Sequence, residues 1–228
     1  MNRVDSAELR GLARQILIAL WQEKGKPCNA GAMIPVATEV IIRSILRVNL
    51  EEPEEIPSEQ RGYEIAAYME RTQNRIVVAQ KYRPEWRRFT MAHEVAHWVI
   101  HPGISYHRDR PLTGAEQANS GRPVEEREAD IFASELVMPT RLVTEHFEQV
   151  FIRPIDGRTP DYELAERLSS PERKINEIDL SANLRFRSMA VAVASSYGPG
   201  MVFVPLARRF GVSPTAMAIK LEELGLVI

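Results

Sequence analysis

Residues 84–101 read Pro84-Glu85-Trp86-Arg87-Arg88-Phe89-Thr90-Met91-Ala92-His93-Glu94-Val95-Ala96-His97-Trp98-Val99-Ile100-His101. Phe89, Ala92, Val95, Ala96 and Val99 recur with a helical period, and Pro84 suits a first helical turn, where no N–H is needed. The spacing predicts a helix from about Pro84 to His101. Inside it lies His93-Glu94-Val95-Ala96-His97. Positions four apart share a helical face, so both imidazoles can address one metal ion from the same side. Glu94 projects beside that face, within reach of a water on the ion. A chain with 5 His and 25 Glu is expected to hold this pattern by chance about 0.01 times. An accidental match is therefore a weak explanation.

Two histidines do not complete a catalytic zinc site, which needs a third protein ligand and an open position. His101 continues the helical row, but a third ligand so far along one helix swings off the metal. The metzincin extension needs Gly at 100 and His at 103, where this chain has Ile100 and Gly103. A carboxylate from the following helix is the remaining common solution. That helix, from about Val124 to Met138, opens Val124-Glu125-Glu126-Arg127-Glu128-Ala129-Asp130. Glu126 and Asp130 lie four apart, so one could bind metal while the other orients a histidine. Glu125 and Glu128 are rivals, although acids in a first turn are commonly solvated partners of the helix dipole.

Outward from these two helices the chain punctuates clearly. Asp5 with Glu8 resembles a capping box ahead of Leu9, Leu12, Ile16 and Leu20, a helix that stops at Lys24–Pro27. A second helix is expected over Val36–Leu46, then an acidic linker over Glu51–Glu59. Tyr63–Met69 and Arg75–Ala79 read as two strands of a hairpin or meander. Gly103–Pro123 reads as a long loop, a length that is uncommon unless functional. Further helices are expected from Thr140, over Tyr162–Leu168 and over Leu184–Ala194, with a break at Gly198-Pro199-Gly200. Leu206–Leu224 reads as two helices split at Gly211, with Ser213 as cap.

The runs 87–97 and 126–139 together resemble the ImmA/IrrE family of zinc-dependent endopeptidases, and the likeness covers most of residues 35–228. The resemblance implies an α+β fold: a gluzincin-like, zincin-like core with a small twisted sheet and the HExxH helix, followed by a mainly helical C-terminal region. The expected division is 1–56 as an N-terminal helical segment, 57–155 as the core and 156–228 as the C-terminal region. It implies one catalytic Zn2+ held by His93, His97 and Glu126, with Glu94 as catalytic acid/base and Asp130 supporting a histidine. Zinc would lower the pKa of its water from 15.7 toward about 7, and Glu94 would carry that proton to the leaving amine. An extended substrate is expected to add along the strand Arg75–Gln80, using Arg75, Val77 and Ala79. Tyr106 and His107 are candidates for contact with substrate or oxyanion. The implied substrate is a helix-turn-helix transcriptional repressor, cleaved to relieve repression in a stress, phage or mobile-element response.

Composition is consistent with that reading. The chain has 228 residues, 29 Lys+Arg against 31 Asp+Glu, and 44% hydrophobic residues. These values exclude a disordered or fibrous chain and give no basic footprint for nucleic acid. One cysteine, Cys28, argues against a disulfide framework and against thiolate ligation. No apolar run suggests a signal peptide or a membrane span, so a cytoplasmic protein is expected. The competing class is a non-catalytic zinc-containing module that binds DNA or a repressor. DNA contact would fall to 206–224, whose second helix mixes Thr215 and Lys220 with Glu222 and Glu223. The cluster Arg75, Lys81, Arg83, Arg87 and Arg88 could steer an acidic substrate, although a solvated face explains it more simply. Trp86 and Trp98 read as core, and His146 as structural or exposed.

Overall fold

The computed structural model describes residues 5–23, 34–58, 64–109, 123–151, 154–156, 161–169, 184–197 and 201–228. The chain is α+β and divides into two compact units, Met1–Val137 and Met138–Ile228. Cys28, Gly198-Pro199-Gly200 and most of the expected loop 103–123 lie outside the described residues.

In the first unit, α1 (Ser6–Glu23) buries Leu9, Ala13, Leu17 and Leu20, one continuous stripe. It packs on α4 (Val124–Val137), where Arg14 Nε donates to Glu135 Oε1 at 3.1 Å. The expected helix 36–46 is a single α-turn, α2 (Thr38–Val40), continued as a π-helix over Ile41–Ile45. The wide turn is visible in Leu46 N–H donating to Ile41 O at 2.9 Å. Arg47, at φ 57°, then turns the chain into β1 (Asn49–Glu51).

Four strands form one mixed sheet in the order β1-β3-β2-β4, with β2 at Ala67–Glu70, β3 at Arg75–Val78 and β4 at Tyr106–Asp109. β2 and β3 are the expected hairpin, antiparallel with Ala67 opposite Val78 and Glu70 opposite Arg75. β1 runs parallel to β3, and β4 antiparallel to β2. β4 thus occupies part of the expected loop, and β1 overlaps the expected linker only at Glu51. β1 is too short to display alternation, and its partner lies 26 residues away. β4 is polar throughout, as suits a sheet edge, so it carries no apolar signal.

This order corrects the expected substrate strand. β3 is flanked by β1 and β2, and beyond it Ala79 N–H donates to Ala66 O and Gln80 N–H to Pro53 O. Val77 and Ala79 are buried, and Arg75 is paired with Glu70 and Glu51. The segment has no open edge for a peptide. Two further members of the basic cluster are likewise engaged, Arg87 on Glu52 and Lys81 near Glu55 and Glu64.

α3 (Pro84–Ile100) contacts β2 and β3 as well as α4. Its seven residues from Met91 to His97 are consequently all buried, three of them polar. Because β1 pairs with β3 and α1 packs on α4, the described residues of 1–56 belong to the same unit as the sheet. Trp98 lies under the Arg71 guanidinium at 4.6 Å, and Trp86, 40% exposed, stacks on Tyr82. Neither tryptophan is a core residue.

The second unit is helical: α5 (Thr140–Phe151), α6 (Asp161–Leu168), α7 (Leu184–Val193), α8 (Leu206–Phe210) and α9 (Pro214–Glu223). Gly211, at φ 63°, ends α8 in the left-handed region, and Ser213 Oγ accepts from Ala216 N–H at 3.1 Å to start α9. The expected split at Gly211 is present. α9 packs on α7 and α8, and its one lysine, Lys220, is 1% exposed. Glu222 is gripped by Arg185 at 2.7 and 2.8 Å. α9 therefore presents no basic side chain to a DNA groove. His146 is buried, bonded to Gln149 and edge-on to Phe210, and burial lowers its pKa. Among the described residues, no helix is long and apolar enough to cross a membrane.

Candidate metal centre

Helical spacing places His93 and His97 one turn apart on α3, with ring centroids 4.8 Å apart and Nε2 atoms 3.1 Å apart. The first turn of α4 brings Glu126 to both: Oε2 is 3.3 Å from His93 Nε2, and Oε1 is 3.4 Å from His97 Nε2. β4 delivers a fourth group. His107 Nε2 lies 2.7 Å from Glu126 Oε1, and its ring stacks on His97 at 3.8 Å. His93, His97, His107 and Glu126 each offer one ligand atom, all within 4.8 Å of one another, a set able to hold a metal ion.

The surrounding bonds bear on whether these residues fit a cation. His93 Nδ1 is 3.0 Å from Asp130 Oδ1, and a carboxylate there only accepts. The ring proton of a neutral His93 is thereby placed on Nδ1, and its Nε2 lone pair faces inward. Inward-facing imidazole nitrogens and a carboxylate at 3.1–3.4 Å suit a divalent ion held by nitrogen and oxygen donors. Glu94 adds to this. It is fully buried, and among the described residues neither carboxylate oxygen has a hydrogen-bond partner, with His107 Nδ1 at 3.7 Å. A buried acid without hydrogen bonds calls for a nearby positive charge or a water. The residues fit the group.

The protonation tendencies agree with a strongly coupled cluster. Burial pushes the His97 pKa down to about 4, beyond what Glu126 restores. At His107 burial acts in the same sense, but Glu126 and Glu94 outweigh it and hold its pKa up at about 9. Burial would raise Glu126, yet His107, His93 and His97 keep its carboxyl far below the usual range.

Of the residues singled out from the sequence, His93, Glu94, His97, Glu126 and Asp130 come together here. Arg75, Val77 and Ala79 belong to the interior strand. Tyr106 lies on edge strand β4, next to His107. Glu128 is no solvated first-turn acid: it is 6% exposed, with Oε2 on His101 Nε2 at 3.1 Å. His107 within the donor set and the His101–Glu128 contact were not anticipated. The available signal was scarcity, since four of the five histidines fall between 93 and 107.

A Mycobacterium tuberculosis transcriptional regulator of known structure is similar over 92% of this chain, at 14% identity and a TM-score of 0.47. The chain covers 45% of that regulator. No match is found among curated proteins. Residues 46–172, which carry β1–β4, α3 and α4, match the IrrE N-terminal-like domain, Peptidase M78. With more than half its length matched, the chain belongs to that metallopeptidase family.

Proposed function

We propose that the chain is a zinc-dependent endopeptidase that cuts a specific intracellular protein, a helix-turn-helix transcriptional repressor, and so relieves repression. The observation that carries this reading is the convergence of His93 Nε2, His97 Nε2 and Glu126 beside a buried Glu94 whose oxygens have no hydrogen-bond partner among the described residues. Family membership supports the metallopeptidase class. The repressor as substrate rests on the resemblance of the 87–97 and 126–139 motifs to ImmA/IrrE peptidases.

In this mechanism His93, His97 and Glu126 hold the ion, and Asp130 fixes the His93 tautomer through Nδ1. Bound there, zinc supplies Lewis acidity to the scissile carbonyl and to a water. Glu94 takes the proton of the attacking water and delivers it to the leaving amine. His107 donates to the carbonyl oxygen as negative charge develops on it. The substrate adds as a strand to β4, which is an edge of the sheet among the described strands and also carries His107 into the centre. Docking on β4 replaces docking on the interior strand β3.

Incubation with the helix-turn-helix regulator encoded beside the gene tests the proposal. A single cut that disappears with chelator and returns with zinc is expected. An intact regulator under zinc-loaded conditions would overturn the substrate assignment. Absence of any chelator-sensitive cleavage across repressors and unfolded casein would overturn the peptidase reading.

A further inference from the structure

Three histidines follow one another at four-residue spacing, His93 and His97 on α3 and His101 at its C-cap. The hydrolytic chemistry uses two. His101, immediately after the last turn, is 1% exposed, and its Nδ1 lies 3.0 Å from His97 Nδ1. On its other side, His101 Nε2 lies 3.1 Å from Glu128 Oε2. This chain of contacts runs behind the centre, on the opposite edge of the His97 ring from Glu126.

The protons of the chain can be counted. Each neutral imidazole has one N–H, and a carboxylate only accepts. The contact with Glu128 places the His101 proton on Nε2 and leaves Nδ1 as an acceptor. The contact between the two rings is then a hydrogen bond only if His97 donates from Nδ1. That leaves His97 Nε2 bare, facing His93 Nε2 at 3.1 Å and Glu126 Oε1 at 3.4 Å. His93 reaches the same state directly through Asp130. Two α4 carboxylates, Glu128 and Asp130, therefore address the two α3 histidines, one through an intervening imidazole and one without.

We propose that His101 and Glu128 form a buried relay that positions His97, holding its proton on Nδ1 and presenting its Nε2 lone pair to the metal. The inference rests on the metal-centre reading above and adds two positioning residues that touch neither metal nor substrate. Asp130 cannot substitute, because it is committed to His93 Nδ1.

The test has two arms on the full-length chain. Long-range proton–nitrogen-15 correlations of the imidazoles, recorded without metal, report the tautomer of each histidine. Wild type is expected to show His97 protonated on Nδ1, and His101→Leu to move that ring to a mixture or to Nε2–H. A His97 ring already protonated on Nε2 in wild type would overturn the relay. In the second arm, zinc affinity is measured by competition with a chromophoric chelator. His101→Leu is expected to raise the Kd about 10- to 100-fold, and Glu128→Gln, which keeps an acceptor for His101, to raise it by less. A folded His101→Leu with wild-type affinity would overturn the proposal. If that variant does not fold, the wild-type tautomer and the Glu128→Gln affinity decide. Failure of wild type to bind zinc more tightly than His93→Ala would refute the metal-centre reading instead, while the tautomer arm still judges the relay.

Discussion

His107 Nε2 and Glu126 Oε1 meet at 2.7 Å, although one sits on a sheet edge and the other in the first turn of a helix. The contact ties β4 to the histidine–carboxylate cluster, which its short polar sequence does not advertise. If His107 stabilises the developing oxyanion, His107→Ala should lower kcat roughly 100- to 1,000-fold. Zinc content by atomic absorption should stay at one per chain, because His93, His97 and Glu126 remain. A variant that loses its zinc along with its activity would make His107 a structural ligand instead.

Glu94 is the proton carrier in the proposed reaction and belongs to no ligand pair. Glu94→Gln is nearly isosteric and should leave zinc affinity within a few-fold of wild type. Turnover should fall by about 100- to 10,000-fold, the range expected for loss of general acid–base catalysis. The comparison uses chelator competition for affinity and gel-resolved cleavage for rate. Retained cleavage by this variant would overturn Glu94 as the proton carrier, whereas regulatory function kept in full without cleavage would favour a module whose zinc is only structural.

The two helices that frame the centre were legible because their information is local. His93, Glu94 and His97 sit at helical spacing on an apolar stripe, and the acids of residues 125–130 open the next helix. What stayed hidden depends on distant pairing. β1 becomes a strand only because Asn49 meets Arg75 and Leu50 meets Ile76. Position 107 follows a segment with no apolar period, so nothing local assigned it to a strand whose edge reaches the histidines. The misplaced substrate strand has the same origin. Arg75–Val78 reads correctly as a strand, but its interior rank follows from β1, which its own residues do not encode. Glu128 was ambiguous for another reason, since a first-turn acid is solvated or buried according to what the neighbouring helix presents.

Arg71 anchors the C-terminal end of α3. Its guanidinium donates to the carbonyls of His97, Trp98, His101 and Ile104, at distances from 2.6 to 3.3 Å, and lies over the Trp98 ring. Three helix-end acceptors and a fourth from the following loop on one cation make a strong cap, because charged hydrogen bonds contribute more than neutral ones. Arg71→Ala should destabilise the chain by about 2–4 kcal/mol in urea unfolding. Arg71→Lys should recover little, since an ammonium cannot reproduce the planar fork. Full recovery by lysine would reduce the contact to simple charge.

Acid should weaken the second unit through Glu222. Burial alone would raise its pKa, but the bidentate Arg185 contact and Ser188 outweigh burial and hold the carboxyl below its ordinary value. A folded-state pKa below the unfolded one means the unfolded chain binds more protons as pH falls. The stabilisation is thus complete above the unfolded pKa, near 4.3 for glutamate, and fades as pH drops through the lower folded value. Arg185→Ala should cost about 0.2–1 kcal/mol at pH 7, given that the arginine is 44% exposed. The difference between wild type and variant, followed by denaturant titration at successive pH values, should shrink steadily below about pH 4. A difference that stays constant from pH 7 to pH 3 would show that Arg185 acts through packing of its aliphatic stem rather than through the Glu222 charge.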